Sequence, residues 1–199
     1  MRATTGRPGV VRLVLVTLAA TLSLLVSHSP KAAAPLLPEG SKAITLVSEA
    51  GEKLVVGRVD FKKDGDGATF AVTLANPEFH DEFLSMRPFQ CLGGVKEMWC
   101  HLVYPYDLKR RITVDDLADL EYSLLFLFKP PAGYGIDPWN GLYFKLKLGD
   151  DGSLSGPVHD VNLDPLGVPP ADRSARTILP ADLTPADPAT HRFATVEVR

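Results

Sequence analysis

The sequence predicts an α+β fold rich in β-structure, mostly antiparallel sheet or a small barrel, with one or two short helices and an irregular, proline-rich C-terminal segment. Three observations carry that expectation. Short segments of alternating apolar and polar residues recur along the chain, Asp-Gly turns separate two pairs of them, and only two brief stretches bear helix-start signals.

The chain opens on Arg2, Arg7 and Arg12, an uncharged apolar run over residues 13–26, and the small residues Ala32, Ala33 and Ala34. Positive flank, apolar centre and small-residue exit form an export signal, so residues 1–34 are assigned as a signal peptide. Pro35 sits badly just after a cleavage site, which leaves an uncleaved inner-membrane anchor as the alternative. The run is shorter than the about 20 apolar residues that a spanning helix needs, which favours cleavage. Either way the positive flank stays cytoplasmic and the remainder crosses. The expected location is periplasmic or secreted in a bacterium, with membrane contact only through the N-terminal segment if it is retained. No Cys follows the apolar run, which argues against a lipid anchor.

After Ala34, 165 residues remain, the size of one domain. The leader takes four basic residues and no acid, so 17 basic stand against 24 acidic residues in the remaining chain. That balance excludes nucleic acid or an anionic lipid surface as the principal partner.

Residues 35–41 read as a proline-rich tether and residues 42–164 as a single β-rich domain, with Ile44, Leu46 and Val47 giving the first strand signal. Residues 54–63 and 68–75 alternate around Asp64-Gly65-Asp66-Gly67, with Phe70, Val72 and Leu74 on one face, which predicts a β-hairpin. Asn76-Pro77-Glu78 has the cap, first-position proline and acid of a helix start, so a turn or two of helix is expected there, burying Phe79 with Phe83. Residues 83–91 and 98–104 form the arms of a second hairpin, and Pro88 favours an edge or a bulge for the first arm. Thr113, Asp115 and Asp116 start another short helix with Leu117 and Leu120 on its apolar side. Residues 122–128 are apolar at both parities and are assigned to a strand buried on both faces. A helix running on to Phe128 is the alternative, because Val114, Leu117, Leu120, Leu124 and Phe128 keep helical spacing.

Leu142, Phe144, Leu146 and Leu148 alternate with Tyr143, Lys145 and Lys147, predicting a strand with one buried and one wet face. The Asp151-Gly152 turn returns it through Leu154 and Val158. Val158 and Val161 break parity, which predicts a bulge at His159-Asp160. Residues 165–199 are expected to wrap the domain as proline-rich loop and to end in an edge strand over residues 193–198.

Cys91 and Cys100 are the only cysteines and flank the Gly93-Gly94 reversal, so a structural disulfide is expected. Closing that short loop removes about 2.7 kcal/mol of unfolded-chain entropy. A metal site of Cys91, Cys100 and His101 lacks a fourth ligand and paired spacing, and the Cys-x-x-Cys-His haem motif is absent. His80, Asp81 and Glu82 are consecutive and cannot converge on one ion, so they read as a solvated helix face. No metal or cofactor is expected.

With Met86-Arg87-Pro88-Phe89-Gln90-Cys91, Trp99-Cys100-His101, Tyr104-Pro105-Tyr106 and Asp137-Pro138-Trp139-Asn140-Gly141-Leu142-Tyr143, most of residues 41–166 resembles a family of exported proteobacterial proteins of unknown function. The resemblance implies a bacterial, periplasmic origin and supplies no activity. The order Trp-x-Gly-x-Tyr, strand, Asp-Gly turn and Leu-x-Gly strand is also similar to small lipocalin-like envelope barrels.

Trp99, His101, Tyr104 and Tyr106 leave the disulfide hairpin together, Asp137 and Trp139 precede the best strand, and His159 sits at the expected bulge. Aromatic walls with a few polar tips suit a small-ligand pocket, against the bland reading that large aromatics simply fill the core. Lys109-Arg110-Arg111 is expected to neutralise the following acidic helix, with Asp115, Asp116, Asp119 and Glu121; anion recognition by Arg110 and Arg111 is the rival. The expected function is a non-enzymatic domain that binds a small apolar or amphipathic molecule or another envelope protein. A periplasmic hydrolase using His159 with Asp160, or His101, is one alternative, although it lacks a nucleophile. A purely structural envelope assembly factor is the other.

Overall fold

The computed structural model describes residues 1–3, 6, 9, 36–84, 88–172 and 175–199, so nearly all of the expected signal segment lies outside the described residues. Ala34–Arg199 is one compact unit. In chain order it contains β1 (Gly40–Val47), β2 (Lys53–Asp64), β3 (Gly67–Leu74), β4 (Phe79–Phe83), β5 (Pro88–Leu92), β6 (Met98–His101) and β7 (Arg111–Ile112). Next come α1 (Ala118–Tyr122), β8 (Phe126–Lys129), β9 (Gly141–Phe144), β10 (Lys147–Leu148), β11 (Leu154–Val161), β12 (Leu183–Pro185) and β13 (Thr195–Val198). Short 3-10 turns occupy Asp164–Gly167 and Pro180–Asp182. The strands make one antiparallel sheet in the order β4-β5-β6-β8-β9-β11-β13-β1-β2-β3-β7, with β10 and β12 alongside β11, and it does not close into a barrel.

The hairpin of β2 and β3 forms as its alternation predicts, with Asp64 opposite Gly67 and the turn at Gly65-Asp66, where Gly65 takes a positive φ of 59°. Strand β11 joins the two halves of the sheet. Its first half pairs with β10 and β13, and its second with β9 and β12. The crossing is tight: a Cβ at Gly156 would lie 2.1 Å from the Lys145 carbonyl oxygen, so only glycine fits there.

Period-two alternation sorts side chains into two cores. Trp99, Phe126, Leu142, Phe144 and Val158 face the larger one, together with Ile44, Val59, Val196 and Val198. Cys91, Cys100, Leu127, Tyr143 and Val161 face the second, which Tyr104, Tyr122, Leu163 and the proline-rich segment's Leu166 and Ile178 cover. Strand β8 is therefore buried on both faces as the double-parity apolar pattern implies, but it covers only Phe126–Lys129: Tyr122 ends α1, residues 123–125 link the two, and the continuous helix to Phe128 does not form.

Several local expectations are corrected. No helix follows Asn76-Pro77-Glu78. The Asn76 side chain instead accepts the Glu78 N–H at 2.7 Å in an Asx turn, and residues 79–83 pair with β5 along the sheet edge. His80, Asp81 and Glu82 thus lie on a strand rather than a helix face, Phe79 is half-buried, and Phe83 is exposed. The five-residue β5 lies between β4 and β6, so Pro88 opens an interior strand, a position that also spares the ladder a donor. Helix α1 starts later than Thr113, at Ala118, whose N–H is taken by Asp116 Oδ1 at 3.1 Å. Tyr143 is buried, so β9 has no wet face. The register from Val158–Phe144 to Val161–Gly141 is unbroken, so there is no bulge at His159-Asp160. Val158 and Val161 simply serve different cores. Finally, β13 is interior, between β11 and β1, because Val196 and Val198 need apolar cover.

Candidate functional site

A cleft opens where β7 leaves β3. Ala68 pairs with Ile112, Thr69 with Arg111, and the Phe70 N–H donates to the Arg110 carbonyl at 2.9 Å. Arg110 then takes a left-handed φ of 52°, unusual for a residue with a Cβ, and the chain departs from the strand edge. Beyond this point no described strand covers the outer edge of residues 71–74. The resulting cleft has a volume of about 580 Å³. One wall is Phe70, Ala71, Val72 and Leu74 of β3, the other is Val103, Tyr104, Tyr106, Asp107, Leu108 and Arg110, and Gln90, His101 and Ser123 contribute polar groups.

The polar atoms are fixed before any ligand arrives. His101 is half-buried, donates from Nε2 to the Ser123 carbonyl at 3.2 Å, and packs edge-on to Phe126 at 5.5 Å. Burial holds its pKa below the ordinary value, and the Ser123 hydrogen bond offsets this only in part, so the ring is neutral with Nδ1 as an acceptor. Tyr104 bonds Thr177 Oγ1 at 3.0 Å and stacks on Tyr122 at 4.6 Å. Tyr106 donates to the Leu166 carbonyl at 2.6 Å and meets Tyr104 edge-on at 5.5 Å. With both hydroxyls committed, these tyrosines offer ring surface to the cleft.

The basic run does not serve the acidic helix as expected. Arg111 pairs with Asp64 and Asp66 in the β2–β3 turn, Asp116 pairs with Arg176, and fully buried Glu121 accepts from Tyr143, from Lys145 at 3.2 Å and from the Leu146 N–H at 2.8 Å. Burial, reinforced by Glu121, pushes the Tyr143 hydroxyl well above the ordinary tyrosine value, so it remains a donor. Arg110, exposed at the cleft, has no acidic partner among the described residues. A neighbouring hollow of about 530 Å³, sharing Tyr104, Asp107 and Leu108, holds charges of both signs and the buried Asp119 Oδ2, which has no hydrogen-bond partner among the described residues.

Of the seven residues singled out from sequence, His101, Tyr104 and Tyr106 come together here. Trp99 does not: it is fully buried, donates from Nε1 to Glu97 at 2.6 Å, and is ringed by Phe126, Phe144 and Phe193. Asp137 accepts the Trp139 N–H at 3.0 Å in a surface turn that leaves Trp139 exposed. His159 lies against its own strand through the Pro157 carbonyl at 3.2 Å, while Asp160 is held by His191 Nε2 at 3.0 Å. Successive strand residues point to opposite faces, so His159 and Asp160 form no proton-transfer pair. Cys91 and Cys100 are opposed across β5 and β6 and bonded, both fully buried.

Sequence reasoning missed Arg110's separation from its neighbours, because which member of Lys109-Arg110-Arg111 stays unpaired depends on the remote turn at Asp64 and Asp66. It also missed a buried bridge in which His191, with its side chain 4% exposed, meets Glu97 at 3.0 Å and Asp160 at 3.0 Å. Burial disfavours charge on this histidine, yet the two carboxylates outweigh it and raise the pKa. For Glu97, burial is the largest single influence and acts to raise the pKa, yet bonds from His191, the Arg192 N–H and Trp99 together outweigh it and lower the pKa. Both ring nitrogens are engaged, so the bridge is a clamp between segments. No family model, curated protein or solved structure matches this chain.

Proposed function

We propose that the chain is an exported bacterial envelope domain that binds an amphipathic ligand in the cleft between the outer edge of β3 and the segment from His101 to Arg110. The observation that carries this reading is the cleft itself: an apolar wall, two tyrosine ring faces, a neutral histidine acceptor and an unpaired guanidinium around about 580 Å³. Concave, mostly apolar sites with a few fixed polar groups are the usual geometry for small-ligand recognition. Export is supported by the leader pattern over residues 1–34 and by the Cys91–Cys100 disulfide.

The reading is tested by thermal melting of the purified, disulfide-bonded protein against fatty acids, their amides and short neutral or acidic peptides. A ligand at 100 times its Kd stabilises by about 2.7 kcal/mol, which raises the Tm by roughly 5 to 11 °C in a domain of this size. At least one class should do so in the parent and fail to do so in Tyr106→Ala. No shift from any class, or an equal shift in Tyr106→Ala, contradicts the proposal.

A further inference from the structure

The cleft is bounded by an unpaired stretch of sheet edge. The Phe70 N–H points outward to Arg110, and the Ala75 N–H points the other way, to the Val56 carbonyl. Main-chain groups along a strand alternate sides, so the N–H and C=O of Val72 and Leu74 face the cleft. On this edge β7 supplies partners only as far as Phe70, because the left-handed Arg110 diverts the chain. An alkyl chain lying here leaves those four groups unanswered. A peptide backbone answers them at the spacing they already have.

We infer that the ligand of this cleft is an extended peptide segment that adds to the edge of β3 in the track β7 abandons, antiparallel to β3, with one acidic side chain against Arg110. The inference rests on the cleft being the binding site. Charge complementarity identifies the acid: Arg110 is a guanidinium without an acidic partner among the described residues, in a folded part that is acidic overall. Asp107 on the same wall repels a second acid, so the segment carries a single carboxylate rather than an acidic run. Alternate residues of the added strand point between Leu108 and the ring of Tyr106, which favours an apolar residue there. The open edge of residues 71–74 accommodates about four residues of partner at roughly 3.4 Å each.

The test uses the disulfide-bonded protein, labelled with ¹⁵N, and four probes. The first is a pool of acetylated, amidated pentapeptides with a fixed central Glu and Val, Leu, Thr or Ser elsewhere. The second has Gln at the centre, the third has alternate amides N-methylated, and the fourth is decanoate. The Glu pool should slow hydrogen exchange at the Val72 and Leu74 amides by about tenfold or more. Replacing Glu by Gln in the pool, or Arg110→Gln in the protein, should weaken binding by about tenfold, the loss of one charge-assisted hydrogen bond. N-methylation should abolish protection, and Arg111→Gln should leave binding unchanged. Unaltered exchange at both amides with the Glu pool overturns the inference, as does equal binding of the methylated pool. If decanoate shifts His101 and Tyr106 while the pools do not, peptide recognition fails and the cleft stands. If no probe shifts them, both fail.

Discussion

Glu97→Ala should be among the most damaging single substitutions in the domain. Its carboxylate accepts from Trp99 Nε1 at 2.6 Å, from His191 Nδ1 at 3.0 Å and from the Arg192 N–H, and the residue is buried beside a fully buried tryptophan. Water does not reach Trp99 to replace the lost acceptor. Each buried donor left unpaired costs about 1 to 3 kcal/mol, and removing one partner of a buried ion pair costs about 3 to 5 kcal/mol. His191 keeps Asp160 and so is not left as an unpaired charge, and the two orphaned donors, Trp99 Nε1 and the Arg192 N–H, set the total at about 4 kcal/mol. For a domain of this size that lowers the Tm by roughly 8 to 16 °C. Glu97→Gln retains an acceptor for Trp99 and Arg192 and loses only the charge facing His191, so its loss should be about half as large. Urea titration followed by tryptophan fluorescence measures both. A Glu97→Ala variant within about 1 kcal/mol of the parent, or a Gln variant as damaged as the Ala variant, refutes the reasoning.

The same bridge predicts a pH profile. Glu97, held below its ordinary 4.5, contributes stability that is present above that pH and is lost as pH falls through its lower folded value. His191, held above its ordinary 6.5, contributes stability that is complete below that pH and is lost as pH rises through its higher folded value. Urea midpoints should therefore peak between about pH 4.5 and 6.5 and flatten in His191→Gln; a midpoint climbing steadily to pH 9 contradicts this. Replacing both Cys91 and Cys100 by Ala should cost about 2 to 4 kcal/mol in the same assay, and native material in which both thiols alkylate without reductant would show that the bond is absent. Arg110→Gly relieves a left-handed Cβ while adding chain entropy, so stability should stay within about 1 kcal/mol of the parent as ligand binding falls. A large loss of stability would show that Arg110 holds the fold.

Local pattern was a sound guide wherever a residue's environment depended on its immediate neighbours. The β2–β3 hairpin, the Asp151-Gly152 return and the Cys91–Cys100 pairing follow from alternation, turn chemistry and spacing. It failed where a partner far along the chain decided the outcome. Phe79 to Phe83 carries a helix-start signal upstream, yet five pairings with β5 outweigh a nucleus too short to propagate. The parity break between Val158 and Val161 reads as a bulge only if there is one core, and Ile178 and Leu166 from the proline-rich segment build the second. Whether β13 is an edge or an interior strand is decided by β1 and β11, which lie far from it in sequence. At the site, His101, Tyr104 and Tyr106 were legible because they share one short segment. Val72, Leu74 and Arg110 were not, since an unpaired edge is defined by where β7 stops.

Site-resolved chemical-shift mapping of the disulfide-bonded, ¹⁵N-labelled protein, titrated with decanoate and with the Glu-centred pentapeptide pool, tests the binding cleft most directly. Saturable shifts should concentrate at residues 71–74, His101, Tyr106 and Arg110, and Trp139 and His159 should remain in place. Shifts centred on Trp139 and His159, or none at saturating probe, would contradict the assignment of this cleft as the binding site.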